Sequence, residues 1–154
     1  MYTRTISFDS NVDVAALPNH LADCLRGVDA RAVEITGDRV TFTGGAFRLV
    51  SNWNVLFPFG FGDLTINSAT REVRYRLSFR QLMIGAAASV GLMGIFIVSM
   101  SFAPSLWESM AVLLVMWTWL VGGNLAIGIS RFQTFMSNAI ATAPKRASKS
   151  NPTG

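Results

Sequence analysis

The residues best suited to chemistry in this 154-residue chain are few. His20 and Cys24 stand four apart, beside Asp23, a spacing that brings two side chains together on one helix face. A thiol next to an imidazole is the beginning of a nucleophilic pair or half of a metal site. The chain has one Cys and one His, so no zinc set can be completed, and Cys24 falls on the apolar stripe of its own helix. Gly44-Gly45 and Gly60 with Gly62 lack the strand-to-helix context and the lysine of a phosphate loop, and read as turn glycines. Asp9 with Asp13, and Asp23 with Asp29, read as cap and surface charges. The expectation is a protein that is not an enzyme, with no catalytic, cofactor or metal site.

Two other groups of residues suit binding. Strand alternation places Thr41, Thr43, Arg48, Thr65, Asn67, Arg74, Arg76 and Ser78 on one sheet face. Guanidinium forks match phosphate and carboxylate, so Arg48, Arg74 and Arg76 form a candidate anion site, set against a plain solvated face. Residues 52–62, Asn-Trp-Asn-Val-Leu-Phe-Pro-Phe-Gly-Phe-Gly, carry Trp53, Phe57, Phe59 and Phe61. Pro58 keeps this segment out of a strand interior. Its rings either close the end of a small core or form an apolar loop that meets lipid or a partner.

The elements that must position these residues follow from periodicity. Residues 2–8 alternate as a strand; Ser10 or Asn11 is placed to cap a helix whose apolar positions are Val14, Leu17, Leu21, Cys24, Leu25 and Val28, with Pro18 in its first turn and Gly27 at its stop. Short strands follow at 31–36, 39–43, 46–50 (Phe47, Leu49), 62–67 and 72–79, separated by turns at Gly37-Asp38, Gly44-Gly45 and 68–71. Residues 1–80 are thus expected to form a cytoplasmic α+β domain, a small antiparallel sheet with one apolar face covered by one helix.

The second half differs. Residues 1–80 hold 17 of the 22 charged side chains, and residues 81–107 and 109–130 hold none. Each uncharged run is long enough for a helix to cross the roughly 30 Å hydrocarbon core. Pro104-Ser105 breaks the apolar stretch, so a two-helix transmembrane hairpin is expected, with spans of about 82–103 and 109–130 within residues 81–131 and Trp107 as an interfacial anchor. Arg71, Arg74, Arg76 and Arg80 precede the first span and Arg131, Lys145, Arg146 and Lys149 follow the second, while the tip has only Glu108. The positive-inside rule then gives a multi-pass protein of the plasma (inner) membrane with both termini cytoplasmic. Ala87, Gly91 and Gly94, and Gly122, Ala126 and Ser130, form small-residue stripes suited to close helix packing, within the hairpin or with another chain. Asn124 suits an interhelical hydrogen bond. Residues 132–154 read as a helix extension, through Phe132, Phe135, Met136, Ala139 and Ile140, and then a disordered basic tail from Pro144.

A composition of 51% apolar and 14% charged residues, divided this way, excludes a repeat array, a disulfide scaffold, a disordered chain and a nucleic-acid binder. No ionisable side chain lies within either run, so a proton relay or voltage sensor lacks its parts. The expected partners are the lipid bilayer and either a protein partner or a second copy, met through the helices, with no nucleic acid. The leading expectation is a non-enzymatic, membrane-anchored accessory subunit docking on a larger membrane partner. A sensor that binds a small anion or lipid headgroup on the Arg-bearing face is the alternative, and an oligomeric pore or membrane-active toxin comes last.

Overall fold

A computed structural model of the chain describes residues 1–44, 56, 59–99 and 105–146. The element order is β1 (Tyr2–Ser7), α1 (Leu17–Gly27), β2 (Arg31–Thr36), β3 (Arg39–Thr43), β4 (Phe61–Asn67), β5 (Glu72–Ser78), α2 (Arg80–Ser99) and α3 (Leu106–Ala141). The five strands form one antiparallel sheet in the order β1-β5-β4-β3-β2. The strand expected at 46–50, with Phe47 and Leu49, lies outside the described residues.

Alternation dictates the faces. In β5, Val73, Tyr75 and Leu77 are buried while Arg74 and Arg76 between them are exposed, the period of two that a half-buried strand imposes. Val40, Phe42, Leu64 and Ile66 complete the buried face. Gly62 has a steric role there: a Cβ at this position would fall inside the Phe42 ring on the neighbouring strand, so only glycine lets that ring lie across β4.

The buried face is covered by two helices, where the sequence predicts one. α1 contributes Leu17, Leu21, Ala22 and Leu25, and the C-terminal part of α3 contributes Phe132, Met136, Ala139 and Ile140. The extension expected after Arg131 is therefore a core element. Its apolar spacing fits a sheet as well as it fits a membrane surface, and the sheet face left open beside α1 receives it. Phe132 sits at the centre, with ring centroids 6.1 Å from Phe42, 5.3 Å from Phe59 and 5.3 Å from Tyr75.

Local signals differ from expectation in two places. α1 starts at Leu17 with Pro18 in its first turn, and Ala16 stands at the N-cap without a side-chain bond, so neither Ser10 nor Asn11 caps it. The Asp13 carboxylate accepts the Ala15 amide instead, and the left-handed residue after the helix is Asp29, not Gly27. Residues 144–146, expected to begin a disordered tail, pair with 11–13: Lys145 bridges Val12, the Asp13 amide donates to the Pro144 carbonyl at 2.8 Å and the Arg146 amide to the Asn11 carbonyl at 2.7 Å. Residues 147–154, with Lys149, lie outside the described residues.

α2 leaves the sheet directly from β5 and packs against α3. Ser105 caps α3, its hydroxyl accepting the Glu108 amide at 3.2 Å, and Glu108 in the first turn suits the helix dipole. By length and composition one helix can cross a membrane, α3 over Met110–Ala141; the apolar helix Arg80–Phe96 is shorter. The expected hairpin of two spans is thus reduced to one span candidate. The uncharged run 81–107 takes in residues 100–104, outside the described residues, and residues 105–107, which cap and open α3, so its helical part is shorter than the run.

Candidate functional site

Three surfaces carry the sequence-predicted residues. The first is the sheet face opposite the core. Register puts Thr3, Arg76, Asp63, Thr41 and Glu34 in one cross-strand row and Thr5, Arg74, Thr65, Arg39 and Thr36 in the next. Arg39 grips Asp63 as a fork, Nε to Oδ1 and Nη2 to Oδ2, both at 2.8 Å. Asp63 is the buried member of this pair and raises the Arg39 pKa further. Arg74 and Arg76 lie on this face and are exposed; Arg48 lies outside the described residues. Asp63 is absent from the sequence-predicted set, although its parity with Thr65 and Asn67 in β4 places a carboxylate among the arginines.

The second is the helix end of the sheet. There β5 runs into α2, and Tyr2 faces Leu77 while Phe61 faces Ser78. Of the aromatic segment, Phe59 is buried against Phe79 and Phe132, whereas Phe61 is 42% exposed. Trp53 and Phe57 lie outside the described residues. At the β1 margin of this end, Gln133 Nε2 donates to the Tyr2 hydroxyl at 2.7 Å. The neighbouring Tyr75 hydroxyl is buried and has no hydrogen-bond partner among the described residues. Burial pushes Tyr75 up to about 12, helped by the Tyr2 hydroxyl and opposed by the Arg4 guanidinium. Nothing in the sequence marks this cluster, because Gln133 and Tyr2 are 131 positions apart.

The third is the apolar helix surface. Trp107 and Trp119 are 79% and 81% exposed, and Leu92, Ile95, Leu114, Val115 and Ile127 are exposed as well. Among the small residues, a Cβ on Gly94 would touch Leu113 at 3.3 Å, while Gly91 and Gly122 face open space. Ala87, Ala126 and Ser130 are exposed too, so the Gly122, Ala126, Ser130 stripe points away from both α2 and the core. Between α2 and α3 lies an apolar groove of about 450 Å³, with Val90, Trp107, Met110 and Trp117 in its lining. The Asn124 amide donates to the Leu120 carbonyl in its own helix at 2.6 Å.

His20 and Cys24 come together as their spacing requires, but as a structural joint. His20 Nε2 donates to the Ala139 carbonyl at 2.9 Å, tying α1 to the last turn of α3, and lies 3.7 Å from Cys24 Sγ. Burial pushes the Cys24 thiol up and Asp23 adds to the shift, the reverse of an activated nucleophile. Among the described residues no group of three His, Cys, Asp or Glu side chains is arranged to hold a metal ion.

Compared with protein-family models, with curated proteins and with solved structures, the chain matches none of them.

Proposed function

We propose that this chain is a membrane-anchored accessory protein whose sheet domain is held at the lipid surface by α2 and by residues 106–130 of α3, and which docks through those helices on a larger membrane partner. The observation that carries this reading is the belt of exposed large apolar side chains on both helices, Trp107, Leu114, Val115 and Trp119 among them. An aqueous surface rarely presents so wide a contiguous apolar patch, whereas lipid covers it without cost. In the proposed two-span arrangement α2 enters the bilayer beside α3, although its apolar helix, Arg80–Phe96, is the shorter of the two. Residues 144–146 bond to residues 11–13, so both ends of such a two-span chain share one side. The arginines before α2 and the basic residues from Arg131 onward favour the cytoplasm for that side.

Docking is supported by the free Gly122, Ala126, Ser130 stripe, which lets a helix of another chain approach α3 closely. The test is purification of the full chain from membranes washed at alkaline pH. The chain is expected to stay in the washed membranes and, in mild detergent, to elute with a larger protein in fixed ratio. Gly122→Leu should release that protein and leave the chain in the membrane. Release by the alkaline wash, or a monodisperse chain that elutes alone, overturns the reading.

A further inference from the structure

Resting on the membrane reading above, we propose that the seam between β1 and α3 at the helix end of the sheet binds the phosphodiester headgroup of an anionic phospholipid. β1 is an edge strand, and its register sets Tyr2 opposite Leu77 and Arg4 opposite Tyr75. Opposed residues share a face, so Tyr2 and Arg4 stand on the core side of the sheet margin, next to the Tyr75 ring. α3 closes the other wall. Phe132 meets Tyr75 edge-on at 5.3 Å, and Gln133 holds the Tyr2 hydroxyl at 2.7 Å.

The chemistry of this seam is one-sided. The Tyr2 oxygen already accepts from Gln133, so its own proton is left to donate. The Tyr75 hydroxyl has no partner among the described residues although it is buried, a condition native proteins rarely leave unrelieved. Arg4 is exposed, and no carboxylate pairs with it among the described residues. Two phenols and a guanidinium therefore lie along one margin of the sheet, with no carboxylate paired to them among the described residues. A water molecule would satisfy one phenol alone; a phosphate oxygen pair answers all three donors.

Depth selects the source of that phosphate. Tyr2 is level with Leu77, three residues before Arg80 opens the apolar α2, which sets the seam at headgroup height when α2 enters lipid. Arg80 is also exposed at this end, so a net negative lipid is favoured over a zwitterionic one whose cationic group it would repel together with Arg4. Tyr2, the first strand residue and only partly buried, lies with its ring 6.3 Å from that of Tyr75, at the open margin of the seam.

The experiment titrates the full chain, purified in a neutral maltoside detergent, with dihexanoyl phosphatidylglycerol, dihexanoyl phosphatidylcholine and inorganic phosphate in separate arms, reading bound ligand by native mass spectrometry. Phosphatidylglycerol should saturate at one per chain and bind about tenfold more tightly than phosphatidylcholine; Arg4→Gln should lose about tenfold and Tyr75→Phe about threefold or more, and Arg74→Gln on the opposite face should bind as the parent does. Tyr75→Phe keeps the ring and the fold, as a retained melting temperature will confirm. Equal binding of the two lipids, undiminished binding by Arg4→Gln and Tyr75→Phe, or inorganic phosphate binding as well as phosphatidylglycerol overturns the assignment. Its failure is separable from that of the membrane reading: a chain washed from membranes that still prefers phosphatidylglycerol sinks only the latter, and an integral chain without the preference sinks only the seam.

Discussion

Along α3 the side chains before Ser130 and those after Arg131 are drawn from the same apolar residue types, yet they meet opposite surroundings. Trp119 is 81% exposed while Phe132 has no exposure at all. The earlier half presents Leu114, Val115 and Ile127 outward; the later half packs Met136, Ala139 and Ile140 against the sheet. One continuous helix thus holds a domain together at one end and leaves large apolar side chains exposed at its other end. Hydrophobicity drives burial without direction, so what distinguishes the halves is which surface stands beside each one.

The strongest way to break this comparison is to truncate one ring in each half. Phe132→Ala empties the space between Phe42, Phe59 and Tyr75 and should cost about 3–5 kcal/mol, a large part of the 5–15 kcal/mol that ordinarily separates folded from unfolded. Trp119→Ala should change unfolding of the sheet by less than about 0.5 kcal/mol. Denaturant unfolding of the full chain in detergent, followed by near-ultraviolet circular dichroism, measures both. Similar losses for the two variants would mean that residues 106–130 also belong to the folding core.

Alkaline pH sharpens the same contrast with a smaller effect. Tyr75 is held near 12 in the folded chain against an ordinary value of 10.0, chiefly because burial disfavours the phenolate. The folded pKa is the higher of the two, so this contribution is complete below pH 10 and is lost as pH rises towards 12. The loss should amount to about 2–3 kcal/mol. Residues 106–130 hold no tyrosine, lysine or cysteine. Unfolding free energies at pH 9 and pH 12 should therefore diverge for the parent and much less for Tyr75→Phe. A parent chain as stable at pH 12 as at pH 9 would place the Tyr75 hydroxyl in solvent.

Much of the sheet was legible because a half-buried strand imposes a period of two. Val73, Tyr75 and Leu77 alternate with Arg74 and Arg76, and Leu64 and Ile66 with Thr65 and Asn67, whatever the strands pair with. The spacing of Phe132, Met136, Ala139 and Ile140 was equally plain as a helix, but a period shows which face is apolar and says nothing about what covers it. That choice depended on the area α1 leaves open on the sheet, a property of contacts between residues more than 50 positions apart. The seam of Tyr2, Arg4, Tyr75 and Gln133 was hidden for the same reason. Each is an ordinary residue in its own element, and the unpartnered hydroxyl exists only after β1, β5 and α3 have met.

Two glycines give the finest probe of the difference, because the added group is one methyl in each. At Gly62 a Cβ collides with the Phe42 ring, which is buried and pinned by Phe132, so it cannot retreat into solvent. Gly62→Ala should destabilise the sheet by about 1–3 kcal/mol through overpacking. At Gly122 the space is open, and alanine is the better helix former by about 0.8–1.0 kcal/mol. Gly122→Ala should therefore leave the unfolding midpoint unchanged or slightly raised. If a helix of another chain packs on this stripe, the same methyl pushes the two backbones apart, and the fixed-ratio company of the purified chain should weaken while its stability does not. A loss of stability on Gly122→Ala would instead show that this face of α3 is already packed within the chain.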